Sequence, residues 1–220
     1  MKEIEFITED PLIAETYPPR PAGDVLPEWY ESLPIKDLKS LDKGNVKNCL
    51  PIQDHICAGY IIFNAYQVQL EEKFVNFQNH LYISTMKQVK NKDFQSFNYS
   101  QCPYSDQPKD IFKIKTDWKI KTPPGYSCLI QQPAYLKNSK WKLFPAIVDT
   151  DNYDDVISVA GIILDKNITY INPGDPLIQI IPFKRDDWSM TTSIASINSK
   201  TNHYLFEAYK NLFHKIKKFI

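Results

Sequence analysis

Glycine is scarce in this chain. Six glycines against sixteen prolines describe a polypeptide stiffened at its turns and poor in the glycine loops that cradle phosphates. No Walker loop and no Rossmann fingerprint can be read in it. Arginine is scarcer still. Among 26 basic residues only Arg20 and Arg185 carry a guanidinium, so bidentate clamping of phosphate or carboxylate is confined to two places at most. Net charge is also missing: Lys+Arg 26 balance Asp+Glu 26, which removes any overall field that would recruit nucleic acid or an acidic membrane. No apolar run approaches the roughly 20 residues that cross a bilayer, and the start MKEIEFITED places acids where a secretion signal needs an apolar stretch. A cytoplasmic protein without membrane contact is expected. The four cysteines (Cys49, Cys57, Cys102, Cys128) form no CxxC pair, which fits reduced thiols and argues against a cysteine-held metal.

What is present is enough apolar material, 43% of 220 residues with 24% charged, for a compact body with a full core. Three parts are expected. Residues 1–44 hold a short strand, Ile4–Thr8, and a proline-rich arm, YPPRPAGDVLPEWYESLP, in which Pro27 can open a short helix. Trp29 and Tyr30 either cover this chain's own core or dock on a neighbouring subunit, with the first reading favoured. Residues 45–188 read as an all-β body, with strands at Ala58–Phe63, Gln67–Leu70, Lys73–Phe77, Leu81–Ser84, Ile111–Lys121, Tyr126–Gln131, Val156–Leu164, Ile168–Ile171 and Leu177–Phe183. A polar, aromatic insertion near 91–110 interrupts it. In Ile111–Lys121 the residues Phe112, Ile114, Thr116, Trp118 and Ile120 alternate with Lys113, Lys115, Asp117, Lys119 and Lys121, one core face and one wet face. The lysines could track a phosphate backbone, but an alternating Lys face more often keeps a strand solvated, so nucleic acid is not expected as a partner. Residues 189–220 comprise a linker and an amphipathic C-terminal helix carrying Leu205, Ala208, Tyr209, Leu212, Phe213, Ile216 and Phe219.

The densest acidic cluster is Asp149, Asp151, Asp154 and Asp155. Carboxylates this close could hold a hard cation or act as a base on water, and Asp149 is the candidate catalytic residue on that reading, with Asp151, Asp154 and Asp155 as candidate metal ligands. The structural reading, which is favoured, is an acidic turn whose side chains accept backbone amides. Asp54 and His55, with His80 beyond them, lack a third partner at metal-ligand spacing. Cys57 and Cys128 lie among apolar residues and read as buried.

Four segments in order carry a resemblance. They are Cys57-Ala-Gly-Tyr-Ile-Ile-Phe, then Ile120-Lys-Thr-Pro-Pro-Gly-Tyr-Ser-Cys, then Ala146-Ile-Val-Asp-Thr-Asp-Asn-Tyr, and finally Asn172-Pro-Gly-Asp-Pro-Leu-Ile-Gln-Ile-Ile. Together they resemble the motif series of the dUTPase and dCTP deaminase superfamily, AGYDL, IPPGY, GVIDxDYRG and GDRIAQLI, over residues 57 to 183. The resemblance implies a mainly β fold, the distorted β-barrel called a β-clip. It also implies ligand-binding residues at Gly59, Tyr60, Tyr126, Asp149, Asp151 and Tyr153, with Asp149 facing Tyr126 or the Gly59 backbone. It further implies a homo-oligomer, a trimer by the habit of the superfamily. The family's second motif continues into an Arg-Ser pair that holds phosphate, where this chain has Leu129-Ile-Gln-Gln-Pro. The Arg-Gly that follows the family's third-motif tyrosine is replaced here by Asp154 and Asp155. The chain from about 45 to 188 is also similar to a family of phage and other viral proteins, a domain family of no assigned function. The expected function is therefore a viral protein on a dUTPase-like scaffold, non-catalytic, with a structural or accessory role through self-association or a viral partner protein, in the host cytoplasm or on the virion. The alternative is a pyrimidine-nucleotide-binding protein or hydrolase with a remodelled phosphate site. No cofactor is expected, save magnesium if a nucleotide binds.

Overall fold

The computed structural model describes residues 2–33, 46–75, 78–85, 111–136, 139–165 and 169–194. The insertion near 91–110 and the C-terminal amphipathic segment 201–220 lie outside the described residues.

The chain opens with β1 (Glu5–Ile7) and a one-and-a-half-turn helix α1 (Pro11–Thr16). Asp10 caps α1 by accepting the amides of Leu12 and Ile13 at 3.0 and 3.4 Å, and Pro11 supplies the fixed φ of a first helical residue. Ile13 then drops into the core. The proline-rich arm gives a two-residue strand β2 (Arg20–Pro21) and the single turn α2 (Glu28–Glu31), which begins after Pro27. Tyr30 is buried within this chain, and the Trp29 indole donates to the Tyr135 carbonyl at 2.9 Å. The arm thus packs on its own body. A third helix, α3 (Leu50–Ile56), has Pro51 in its first turn and ends at Cys57. It is too short to leave the long periodicity by which helices are recognised.

The rest is antiparallel sheet: β3 (Tyr60–Phe63), β4 (Val68–Val75), β5 (Gln78–Thr85), β6 (Ile111–Lys115), β7 (Lys119–Lys121), β8 (Tyr126–Gln131), β9 (Trp141–Leu143), β10 (Ala146–Val148), β11 (Ser158–Ile163), β12 (Thr169–Ile171) and β13 (Pro176–Lys184). A mainly β body is what the alternation predicts. Two expected strands, Gln67–Leu70 and Lys73–Phe77, are one continuous strand, β4, hairpinned with β5. The five-stranded sheet has the order β10-β8-β13-β3-β2, with β13 central, and smaller sheets have the orders β6-β11-β9, β12-β4-β5 and β1-β7. Pro21 sits on the edge strand, where a missing N–H breaks no ladder.

The lysine-rich strand is divided in two. The Thr116 amide donates to the Ile157 carbonyl at 2.7 Å and the Trp118 carbonyl accepts the Ile157 amide at 2.9 Å, so the chain bulges around Ile157. The Thr116 hydroxyl braces the bulge, accepting the Trp118 amide at 3.2 Å and donating to the Trp118 carbonyl at 3.1 Å. Regular pairing with β11 ends at Lys115, and pairing with β1 runs from Lys119 onward. The two-residue period survives the break. Phe112, Ile114, Thr116, Trp118 and Ile120 are all buried and the intervening residues are not. The core gathers these side chains with Ile62, Leu70, Cys128, Ile130, Leu143, Ile157 and the inward residues of β13.

Candidate functional site

Motif residues far apart in sequence meet at one end of the β8–β13 pair. The turn before β8 is built by Pro123, Pro124 and Gly125. The Tyr126 amide donates to the Pro123 carbonyl at 3.2 Å, and Gly125 takes a φ of +83°, a left-handed conformation that favours glycine. Opposite it the Val148–Tyr153 turn closes on the Asp149 carbonyl, which accepts the amides of Asn152 at 2.9 Å and Tyr153 at 2.8 Å. Thr150 at its apex is fully buried, with its hydroxyl 2.7 Å from Thr122 Oγ1 and 3.3 Å from Cys128 Sγ.

Arg185, the residue after β13, binds both turns together. Its Nη1 donates to Asp151 Oδ1 at 2.9 Å, to Ser127 Oγ at 2.9 Å and to the Tyr126 carbonyl at 3.2 Å, and its Nη2 donates to Asp151 Oδ2. The Gly125 amide also donates to Asp151 Oδ2 at 2.8 Å, and the Arg185 amide donates to the Gly125 carbonyl at 2.8 Å. Both Asp151 oxygens are thus taken by a planar fork and an amide, the strongest geometry available to an arginine and a carboxylate. The Arg185 hydrogen bonds hold the Asp151 carboxyl down at about 2. Asp149 reaches the same guanidinium, 3.1 Å from Nη1, and accepts from the buried Ser127 hydroxyl at 2.6 Å. The resemblance implies that Asp149 faces Tyr126 or the Gly59 backbone; it engages Ser127 and Arg185 instead. Its side chain is 59% exposed against 6% for Asp151.

Asp154 and Asp155 are engaged by the lysine face. Asp154 pairs with Lys119 and, at 2.8 Å, with Lys121, and these hydrogen bonds lower its carboxyl to about 2. Asp155 accepts its neighbour Val156 amide at 2.7 Å and pairs with Lys115 at 3.4 Å, and its carboxyl is lowered in that order of cause. Among the described residues no three His, Cys, Asp or Glu side chains are grouped so as to hold a metal ion. Tyr153 is partly exposed, with its hydroxyl 3.4 Å from the Val156 carbonyl.

Gly59 and Tyr60 sit at the start of β3, across β13 from this cluster. Tyr60 meets Phe6 of β1 edge to face at 5.3 Å, and Lys2 lies over the Tyr126 ring, 4.3 Å from its centroid. The N-terminal strand thus covers both motif tyrosines. Cys57 and Cys128 have thiols pushed up, in each case mainly by burial, the opposite of an activated nucleophile. Sequence reasoning missed Arg185 as a site residue. The signal available was its rarity: with two guanidiniums in the chain, one beside the last motif is a natural partner for the acidic turn.

The Asp151 carboxyl sets a pH dependence. Its folded value, about 2, lies below the unfolded value of about 3.9, so its contribution to stability is present above about pH 4 and is lost as pH falls through 2. In urea titrations Asp151→Asn is expected to unfold at lower denaturant than the parent at pH 6, and the gap is expected to narrow between pH 4 and pH 2. A gap that stays constant over that range would show that the charge on Asp151 is not what holds the two turns.

No family model matches this chain, and no curated protein matches it. Among solved structures it is similar to the native EIAV dUTPase, with 15% identity over 62% of this chain and 83% of that one at a TM-score of 0.38. It is similar also to a variant dUTPase from phage phi11 of S. aureus, with 13% identity over 90% of this chain and 99% of that one at a TM-score of 0.41. A third is a variant Staphylococcus bacteriophage 80alpha dUTPase with dUpNHpp, with 12% identity over 90% and 93% at a TM-score of 0.37.

Proposed function

We propose that this chain is a non-catalytic protein on a dUTPase-like β-clip scaffold, serving a structural or accessory role through self-association in a viral setting. The observation that supports it best is the Arg185 staple. The carboxylates where the superfamily works on a nucleotide are turned to the opposite turn and to Arg185: Asp151 is saturated by Arg185 and the Gly125 amide, and Asp149 gives an oxygen to Ser127 and Arg185. A guanidinium used this way is unavailable to phosphate, and Arg20, the other one, donates to the Asp24 carbonyl. The viral setting rests on the resemblance of residues 45–188. Self-association is supported by the stretch after β13, where Trp188, Met190 and Ile194 are almost fully exposed, apolar side chains that a second copy would cover.

The second reading, a pyrimidine nucleotide site, is favoured by the exposure of Asp149 beside a partly exposed Tyr153. Incubation with deoxyuridine and deoxycytidine triphosphates plus magnesium separates the two. No pyrophosphate, no heat of nucleotide binding by calorimetry, and a mass by light scattering above that of one chain are expected. Turnover of either triphosphate would reject the non-catalytic reading, and a strictly monomeric mass would reject self-association.

A further inference from the structure

A second polar network, away from the acidic turns, fixes the state of a histidine by a chain of forced orientations. Gln179 on β13 is wholly buried. Its amide nitrogen lies 2.9 Å from the His55 carbonyl and 2.8 Å from the Ala58 carbonyl, and its oxygen receives the Ala134 amide at 3.1 Å. Carbonyls can only accept and a backbone amide can only donate, so this side chain has one permissible orientation. Gln131 on β8, paired with Gln179 in the ladder, stands 3.3 Å from that oxygen through its own Nε2. An acceptor there demands a donor, so the orientation of Gln131 is fixed too. Its second N–H then points at His55 Nε2, 2.7 Å away. A ring nitrogen that receives an N–H carries no hydrogen of its own.

His55 also touches a residue with an unusual backbone. Tyr135 has a φ of +58°, the one left-handed non-glycine residue among the described residues, a conformation that persists only when its surroundings hold it. Two contacts reach it from the described residues: the His55 ring, edge to face at 5.8 Å, and the Trp29 indole on its carbonyl. The titratable groups around His55 are Asp54 and Cys57 on or beside its own helix and the Tyr135 phenol from the loop; β8 and β13 present the neutral Gln131 and Gln179.

We propose that His55 is locked as the neutral tautomer with hydrogen on Nδ1, and that it acts as a proton-sensitive catch on the Tyr135 turn. When the ring gains a second proton, its Nε2–H confronts the Gln131 N–H, which cannot turn round without setting its own oxygen against the fixed Gln179 oxygen. The ring must withdraw, and Tyr135 loses the ring contact that it makes with His55. Trp29 is the reporter, because its indole N–H ends on the Tyr135 carbonyl. This catch does not depend on whether the chain binds a nucleotide.

Nitrogen-15 NMR of the whole protein tests both halves. At pH 8 the His55 ring, assigned by its loss in His55→Gln, is expected to show a protonated Nδ1 and a bare Nε2. On acidification the Trp29 indole resonance, assigned with Trp29→Phe, is expected to shift with the same midpoint as the His55 ring. In His55→Gln, whose side-chain carbonyl accepts from Gln131 without titrating, that shift is expected to vanish. A hydrogen on Nε2 at pH 8, a Trp29 resonance that ignores the His55 midpoint, or the same shift in His55→Gln would each overturn the proposal. If the variant does not fold, the tautomer and the shared midpoint in the unaltered protein still decide.

Discussion

Replacing Gln179 with leucine is expected to lower the free energy of unfolding by about 3 to 4 kcal/mol, measured by urea denaturation at neutral pH. The side chains are similar in volume, so little of the loss comes from a cavity. It comes from the groups left behind. The carbonyls of His55 and Ala58, the Ala134 amide and Gln131 all end on this one buried amide, and an unsatisfied buried polar group costs about 1 to 3 kcal/mol. The same network closes the C-terminal end of α3, where the His55 carbonyl also accepts the Ala58 amide at 3.4 Å. Gln179→Glu sharpens the point, because a carboxylate facing two carbonyls offers no donor. It should be at least as damaging at pH 7 and should partly recover in acid, where a protonated carboxyl can donate to one of them. A loss below 1 kcal/mol for the leucine variant would mean that water or a backbone shift satisfies these groups.

Gln179 also marks the boundary of what the amino-acid sequence discloses. Its strand was legible: Leu177–Phe183 is predicted and Pro176–Lys184 observed, and Tyr126–Gln131 is predicted to the residue. These segments read as short apolar runs bounded by turn signals, and the burial of consecutive residues in them, Ser127 and Cys128 in one and Leu177 to Ile180 in the other, fits that pattern. That a buried glutamine in such a strand should hold a helix end and a loop was not legible, since its partners lie 45 to 124 residues away. The Arg185 staple is hidden for the same reason, with Asp151 34 positions distant. Two short helices were missed for a different reason. The pairing of Asp10 with Pro11 is a helix start, but six residues give no amphipathic pattern to confirm it. The break at Thr116 is a bulge around Ile157 braced by the Thr116 hydroxyl. Nothing in the alternation of Ile111–Lys121 announces that bulge, and the core face stays right on both sides of it.

Substituting Gly59 by alanine should be the most damaging single change available at a motif position, with a loss of about 4 kcal/mol or more or failure to give folded protein. Gly59 has a φ of +69°, which by itself costs an alanine about 1 to 2 kcal/mol. The steric collision costs more. A Cβ there would lie 1.9 Å from the Ile180 carbonyl oxygen and 2.9 Å from its carbon, and both belong to the backbone of β13. That strand is hydrogen-bonded on both sides, to β3 and to β8, so it cannot retreat without opening the central ladder. The Ala22 amide also closes on the Gly59 carbonyl at 2.9 Å, which ties the edge strand to the same point. Gly125 provides the control. Its φ of +83° is as unfavourable for alanine, but nothing lies within 4 Å of the position a Cβ would take, so Gly125→Ala should lose only the backbone cost of about 1 to 2 kcal/mol. Thermal melts of the two variants side by side read the difference. Equal losses would show that the approach of Gly59 to β13 is looser than 1.9 Å implies. A much larger loss at Gly59 would assign the glycine of the first motif to close packing of turn against sheet, a role that it fulfils with or without a ligand.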